Sequence, residues 1–252
     1  MSGCSDEAGE HPAMLAPDHP RASAEAAGEG RLTARPRARP HASVRPGLHQ
    51  LAPERARGAL LYVPRGYRPS RPHALVLALH GAGGGARNGL APLLPLADAA
   101  GLILLAPRSR ATTWDVLLGG YGPDVAFIDR MLAKTFARCA VDPRRIAIEG
   151  FSDGASYALS LGITNGDLFK AIIAFSPGFR APGDRRGRPR VFISHGTQDR
   201  VLPIDRTSRR IVPELRREGY AVRYREFAGP HTVPPVIARE ATRWLSQWRS
   251  GR

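Results

Sequence analysis

The residues of this chain most suggestive of chemistry are 150–154, Gly-Phe-Ser-Asp-Gly, which follow an apolar run and precede a helical pattern. A serine in a tight turn between strand and helix needs glycines on both sides, because larger side chains would clash with strand or helix. Such a turn exposes the serine hydroxyl, which attacks carbonyl carbon once a base removes its proton. The pattern therefore predicts that Ser152 is a nucleophile.

Two further side chains follow Ser152 at places that suit an orienting acid and a base. Asp199 ends the segment VFISHGTQD and His231 lies in the segment AGPHT, each in a loop after a predicted strand. We expect these loops to meet Ser152 at one edge of the sheet and to form a catalytic triad. Asp205 is the alternative acid, although its position suits a helix N-cap. His195 is expected to end its strand with a local hydrogen bond.

A glycine-rich segment, His-Gly-Ala-Gly-Gly-Gly at residues 80–85, follows the apolar run ALVLAL. Backbone N–H groups in such a turn can stabilise the negative charge that develops on an attacked carbonyl oxygen. We expect one donor from Ala82, with Gly83 as the alternative, and the other from Asp153. A nucleotide-binding loop is not expected, because no lysine follows the glycines. His80 is expected to orient the loop.

The elements that must position these groups alternate between strand and helix. Apolar runs predict strands over 58–63, 74–79, 102–106, 145–149, 171–175, 191–194 and 221–227. Helical spacing predicts a helix that ends at residue 100 and helices over 124–137, 152–162, 205–218 and 234–248. This alternation implies an α/β fold, with a mostly parallel, doubly wound sheet flanked by helices. The gaps between elements are too short for a large lid domain.

The composition changes near residue 47. Residues 1–46 are rich in Ala, Pro, Gly, Glu and Arg and have little apolar periodicity, so we expect a disordered tail. Residues 47–252 are expected to form a single catalytic domain. Residues 2–4, Ser-Gly-Cys, resemble the end of a lipoprotein cleavage site without its apolar stretch. We therefore expect a cytoplasmic protein, or a lipid-anchored or exported one if the true start lies upstream of Cys4.

The net charge of +15 raises the question of a nucleic-acid partner. The densest arginine patches, within 180–190 and 209–217, contain no interleaved aromatic residues, which favours a solvated surface, so no nucleic acid is expected. No apolar run is long enough to span a bilayer. The two cysteines, Cys4 and Cys139, have neither disulfide-framework nor metal-site spacing, and we expect no metal and no organic cofactor. The sequence leaves the oligomeric state open.

Five segments together resemble the α/β-hydrolase superfamily of serine esterases. They are LHGAGGG (79–85), DVAFID (124–129), VDPRRIAIEGFSDGASYALSLG (141–162), HGTQDRVLP (195–203) and GPHTVPP (229–235). The chain resembles most the phospholipase/carboxylesterase, dienelactone-hydrolase and polyhydroxybutyrate-depolymerase-like or feruloyl esterase branches. The resemblance implies that Ser152, Asp199 and His231 are nucleophile, acid and base, and that Ala82 supplies a backbone donor. One departure is Asp153, where relatives often carry a neutral residue; we expect its carboxylate to face the free N–H groups of the helix start.

These residues predict a serine hydrolase that cleaves a small-molecule carboxylic ester through an acyl-enzyme. The same triad would serve a thioesterase, a lysophospholipase or an acyl transferase, and a non-catalytic binding protein that retains the fold is a further alternative. Residues 108–123, with Trp114, Asp115 and Tyr121, are the candidates for the wall of the substrate pocket. The alternative for this segment is an ordered surface loop with Trp114 packed on the core.

Overall fold

The computed structural model describes residues 19–37, 40, 44–53, 58–181 and 183–247. The strands found within these residues are β1 (Gly47–Ala52), β2 (Ala59–Val63), β3 (His73–Leu79), β4 (Leu102–Pro107), β5 (Val141–Phe151), β6 (Ala171–Phe175), β7 (Arg190–Gly196) and β8 (Val222–Phe227). The helices are α1 (His19–Gly28), α2 (Ala86–Leu90), α3 (Leu94–Ala100), α4 (Pro123–Arg138), α5 (Asp153–Thr164), α6 (Ser208–Arg217) and α7 (Pro235–Ser246).

All eight strands belong to one sheet, in the order β1-β2-β4-β3-β5-β6-β7-β8. β1 pairs antiparallel with β2 and β2 with β4, whereas every other neighbouring pair is parallel. The predicted mostly parallel sheet is therefore confirmed, and no large lid domain interrupts the described elements. The carboxyl ends of β3, β5, β7 and β8 lie at one edge of this sheet, so the loops that follow them meet there.

The sheet is buried on both faces, as its continuous apolar strands require. In β3, Leu75 and Leu77 belong to an apolar cluster with α4, α5 and α6, while Val76 and Ala78 belong to a second cluster with α2, α3 and α7. Successive side chains of a strand point to opposite faces of the sheet, so the same short strand packs against helices on both sides. This packing fixes the strand ends that position the site.

Residues 29–37 form an extended segment, here called the N-terminal strap, that packs on the body of the protein. Leu32 is buried; its N–H donates to Asn165 Oδ1 over 2.8 Å, and Asn165 Nδ2 donates to the Gly30 carbonyl over 2.7 Å. The expectation of a disordered tail over residues 1–46 therefore does not hold for α1 and the strap. Residues 1–18, which include Cys4, lie outside the described residues.

A single carboxylate, that of Asp129 on α4, anchors the middle of the strap. It accepts hydrogen bonds from the backbone N–H of Thr33 and Ala34, each 2.8 Å long, and from the Thr33 hydroxyl at 2.6 Å. Arg31 and Arg35 both pair with Asp167. These partners lie far along the chain, so local composition gives no sign of them.

Two differences from the sequence-based prediction concern β1 and the start of α6. β1 was not predicted, because its residues, GLHQLA, form neither an apolar run nor an alternation of polar and apolar residues. The sixth helix begins at Ser208 rather than at residue 205; Asp205 lies in a short 3₁₀ turn and pairs with Arg209, so it is not the N-cap. Among the described residues, no helix is both long and apolar enough to cross a membrane.

Candidate active site

Ser152 occupies the turn between β5 and α5, with φ 57° and ψ −121°. L-residues rarely adopt this conformation, which costs about 1–3 kcal/mol and is typical of functional turns. The flanking glycines are required by contact: a Cβ on Gly150 would lie 2.2 Å from the Gly154 carbonyl oxygen, and one on Gly154 would lie 2.4 Å from that of Leu79. The predicted setting of strand, tight turn and helix is therefore present.

His231, in the loop after β8, lies between Ser152 and Asp199. Its Nε2 is 2.9 Å from Ser152 Oγ, and its Nδ1 is 2.5 Å from Asp199 Oδ2. Because the carboxylate can only accept, Nδ1 carries the proton, and Nε2 is left to accept the hydrogen bond from the serine hydroxyl. The imidazole packs against the ring of Phe151, with centroids 4.7 Å apart. The structure thus brings the three residues predicted as a triad into one hydrogen-bonded line.

The Asp199 carboxylate is buried and heavily hydrogen-bonded. Its Oδ1 accepts from the backbone N–H of Val201 at 2.9 Å and of Leu202 at 2.8 Å, in the turn that follows β7. Burial acts to raise the pKa of Asp199, but the Leu202 N–H and His231 outweigh it and hold the pKa below its ordinary value. The carboxylate is therefore ionised at neutral pH and can stabilise a positive charge on His231.

The loop after β3 brings backbone N–H groups beside Ser152. The N–H of Gly83 is already donated to the Thr112 carbonyl over 2.7 Å, so Gly83 does not fit the alternative role predicted for it. Within the described part of the chain, the N–H groups of Ala82 and Asp153 donate to no other backbone group. Asp153 is the first residue of α5, where N–H groups have no partner inside the helix.

His80 fixes the loop after β3 through hydrogen bonds at both of its ring nitrogens. Its Nε2 accepts the Ser109 N–H over 3.0 Å, so its Nδ1–H donates to the Gly81 carbonyl, 2.8 Å away. Burial lowers the pKa of His80, which keeps the ring neutral and suits this pattern. A Cβ on Gly81 would lie only 3.3 Å from that of Ser152, which shows how closely the loop approaches this serine.

Comparisons with known proteins agree with this arrangement, although no protein-family model matches the chain. The chain is 32% identical to feruloyl esterase C of Emericella nidulans over 167 residues. This matched region covers 63% of this chain and 60% of that relative. The crystal structure of esterase PE8 has a TM-score of 0.61 and 26% identity over 80% of this chain and 98% of that one. A thermostable esterase, at 24% identity, shares the fold with a TM-score of 0.63 over 79% of this chain and 61% of that one.

The chain has the α/β-hydrolase fold and is similar in sequence to known esterases. It spans about three fifths of the length of the curated relatives that it matches. The mostly parallel sheet of this α/β-hydrolase and its turn between strand and helix at Ser152 agree with the fold that the sequence resemblance implied.

The Asp153 carboxylate of this α/β-hydrolase was expected to face the free N–H groups at the start of α5. It faces the loop after β4 instead. The Thr113 hydroxyl donates to its Oδ2 over 2.6 Å. Thr112, the neighbour of Thr113, accepts the Gly83 N–H. One loop, that after β4, therefore restrains both predicted oxyanion segments.

Trp114 does not line an open pocket, which corrects its prediction as a pocket wall. Its side chain has no exposed surface, and its ring stacks on Tyr157 of α5, with centroids 5.0 Å apart and planes 12° apart. Its Nε1–H donates to the His80 carbonyl over 2.9 Å. The packed alternative therefore holds, and Trp114 supports the loop of His80 instead. Tyr157 was not predicted, because nothing in its helical pattern separates it from ordinary core residues.

Asp115 and Tyr121, the other predicted pocket residues, line a surface cavity of about 590 Å³. The remaining lining residues are Arg110, Ala111, Leu118, Gly119, Gly120, Pro123 and Asp124. Asp115 and Asp124 accept each other's backbone N–H, over 2.9 and 2.8 Å, and so clasp the ends of this loop. Ser152, Asp199 and His231 are not part of the lining, so this cavity does not contain the predicted triad.

Proposed function

We propose that this α/β-hydrolase cleaves carboxylic esters, with Ser152 as nucleophile, His231 as general base and Asp199 as the acid that orients it. The observation that carries the proposal is the continuous line from Ser152 Oγ to His231 to Asp199, with separations of 2.9 and 2.5 Å. The esterase names of the relatives support the same chemistry.

The first half of the reaction acylates the enzyme. His231 Nε2 takes the proton of Ser152 as Oγ attacks the ester carbonyl, and Asp199 stabilises the imidazolium that forms. The carbonyl oxygen gains negative charge, which the N–H groups of Ala82 and Asp153 would bind. The imidazolium then gives its proton to the alcohol as the C–O bond breaks.

The second half regenerates the serine. A water molecule transfers a proton to His231 as it attacks the acyl carbon, and the same two N–H groups bind the second oxyanion. Collapse of this intermediate returns the proton to Ser152 Oγ and releases the carboxylic acid. The balance is one ester and one water consumed for one acid and one alcohol.

We propose small aryl esters, feruloyl esters first, as the substrate class. Relatives in two fungi are named feruloyl esterase C and probable feruloyl esterase C. The described elements contain no inserted lid, and Ala82 is exposed beside the nucleophile, so the approach to Ser152 is open. An open approach suits a compact aryl acid better than a long acyl chain that must be enclosed.

The test is hydrolysis of methyl ferulate and of p-nitrophenyl esters of increasing acyl length. We expect turnover by the wild type and a loss of about 10⁴-fold or more in Ser152→Ala, because the nucleophile is gone. Ser70→Ala removes a serine on the surface and serves as the matched control. Equal rates in Ser152→Ala and the wild type would refute the assignment of the nucleophile.

A fluorophosphonate that labels active serines separates catalysis from a binding role. Labelling of the wild type but not of Ser152→Ala is the expected result, and a folded wild type that is not labelled would favour a non-catalytic protein. Rates on an oxygen ester and a thioester of the same acyl group then distinguish an esterase from a thioesterase.

A further inference from the structure

His195, at the end of β7, lies directly behind the acid of the proposed triad. Its imidazole has no exposed surface, and its Nε2 is 3.1 Å from Asp199 Oδ2, the same oxygen that His231 contacts. Nε2 is also 2.8 Å from the Leu202 carbonyl oxygen. The spacing of four residues between His195 and Asp199 gave no sign in the sequence of more than a local hydrogen bond.

The partners of His195 determine its tautomer. The carboxylate and the carbonyl that face Nε2 can only accept, so Nε2 carries the proton and shares it between them. Nδ1 is 2.7 Å from Ser208 Oγ and must then accept the serine proton. Ser208 is the first residue of α6 and is fully buried, so the ring is fixed to the start of that helix.

The charge of the ring decides what it can do for Asp199. Burial lowers the pKa of His195, so the ring is neutral and offers a hydrogen bond rather than a second cation. The ionisable groups that interact with it are Asp199, His231 and Glu226. A neutral donor leaves the carboxylate its full charge for the imidazolium of His231.

We infer that His195 is a positioning residue for the reaction, because its Nε2–H directs Asp199 Oδ2 towards His231 and Ser208 fixes the ring that donates it. This inference rests on the proposed function. Asp199 then has four donors, two on each oxygen: the N–H groups of Val201 and Leu202 on Oδ1, and the two histidines on Oδ2. Without His195, Oδ2 keeps a single donor and its direction is set by His231 alone.

The experiment compares His195→Leu, His195→Gln and Ser208→Ala with the wild type on one ester, with rates divided by the concentration of fluorophosphonate-labelled sites. For His195→Leu we expect kcat per labelled site to fall about 10- to 100-fold, as for loss of a hydrogen bond to a charged group, with KM within about twofold. His195→Gln keeps an N–H donor and should recover most of this loss. Ser208→Ala should show a smaller fall, about threefold, because the ring remains but is less constrained.

The pH profile supplies a readout that a merely structural role would not move. Asp199 without the His195 donor becomes a stronger base and favours the imidazolium of His231, so the acidic limb of kcat/KM should move to higher pH in His195→Leu. His73→Leu, which removes a half-buried histidine at the start of β3, is the control and should leave kcat and the limb unchanged.

Two outcomes overturn the inference. One is that His195→Leu keeps the wild-type kcat per labelled site and that the acidic limb of its kcat/KM profile does not move. The other, which applies if that variant does not fold, is a wild-type kcat per labelled site in Ser208→Ala, for which a fall of about threefold is expected. A wild type that is neither labelled nor active would instead refute the proposed function, so the two failures are distinguishable.

Discussion

At the scale of single residues, the turn at Ser152 presents a hydroxyl group in a backbone conformation that lowers the stability of the fold. Ser152 has a positive φ in a turn so tight that a Cβ on Gly150 would clash with Gly154 and one on Gly154 would clash with Leu79. A side chain at such a position crowds its own backbone, and glycine alone escapes that cost. Ser152 is thus held in a conformation that its own residue type disfavours.

This strain predicts a reversal of the usual order of alanine and glycine. Ser152→Gly and Ser152→Ala should both lack activity, but the glycine variant should be more stable by about 1 kcal/mol in urea unfolding. At Ser70, which does not have a positive φ, the glycine variant should be no more stable than the alanine variant. Equal or greater stability of Ser152→Ala would show that the turn is not strained.

The meeting of Ser152, Asp199 and His231 was predictable from the sequence because each of them follows a strand, and parallel strands end at one edge of a sheet. The use of the Gly83 N–H, the burial of Trp114 and the partner of the Asp153 carboxylate were not predictable. All three depend on how the loop after β4 packs against the loop after β3, and no periodicity encodes such contacts between loops.

At the scale of elements, the N-terminal strap is held by side chains of α4 and of the segment after α5. Asp129 accepts three of its hydrogen bonds, and a hydrogen bond of this kind contributes about 0.5–1.5 kcal/mol to stability. The strap is an extended segment with little apolar surface of its own, so these bonds decide whether it stays docked.

Asp129→Ala should release the strap and expose it to protease. We expect trypsin to cleave after Arg31 several times faster in this variant than in the wild type, because cleavage requires an undocked backbone. The cleavage site is identified by mass spectrometry of the early products. Asp142→Ala, which removes the partner of Arg145 elsewhere on the surface, is the control and should not change the rate. Unchanged cleavage in Asp129→Ala would show that the strap does not depend on this carboxylate.

The central strands and the long helices were predictable because each buries a run of apolar residues with a clear period. β3 and α4 are examples, with six and eight buried residues respectively. β1, α1 and the strap were not, because they are stabilised by pairing with β2 and by hydrogen bonds to distant residues rather than by their own pattern.

At the scale of the whole molecule, many arginines of this basic chain are paired with carboxylates. These pairs partly neutralise the positive charge of the arginine-rich segments. Arg180 and Arg185 pair with Glu218, Arg209 pairs with Asp205 and Glu226, and Arg223 and Arg225 pair with Glu240. Surface pairs of this kind add little stability, about 0–1 kcal/mol each. The expectation that no nucleic acid binds stays a prediction.

A single buried glutamate should make global stability depend on pH. Glu149 in β5 lies between Ala78 and Ile173 in the sheet, is fully buried, and among the described residues its oxygens have no hydrogen-bond partner. Burial raises the pKa of Glu149 well above its ordinary value. Above about pH 4.5 the unfolded chain releases this proton while the folded protein keeps it, so stability falls as pH rises towards the folded-state pKa.

Glu149→Gln removes the ionisable group and keeps the shape. The Tm of Glu149→Gln relative to that of the wild type should therefore rise from about pH 5 to about pH 8. The difference between their free energies of unfolding should change in the same direction by up to about 1.4 kcal/mol per pH unit. Glu214→Gln, at an exposed site, should show no such trend. A difference in Tm between Glu149→Gln and the wild type that does not vary with pH would contradict the prediction.

The docking of the strap also constrains the order in which the molecule can be completed during synthesis. Leu32 and Gly30 bind Asn165, which leaves the ribosome more than a hundred residues later. The segment made early must therefore wait, unpaired, until the sheet that carries its partners has emerged. The beginning of the described chain is one of the last parts to reach its final place.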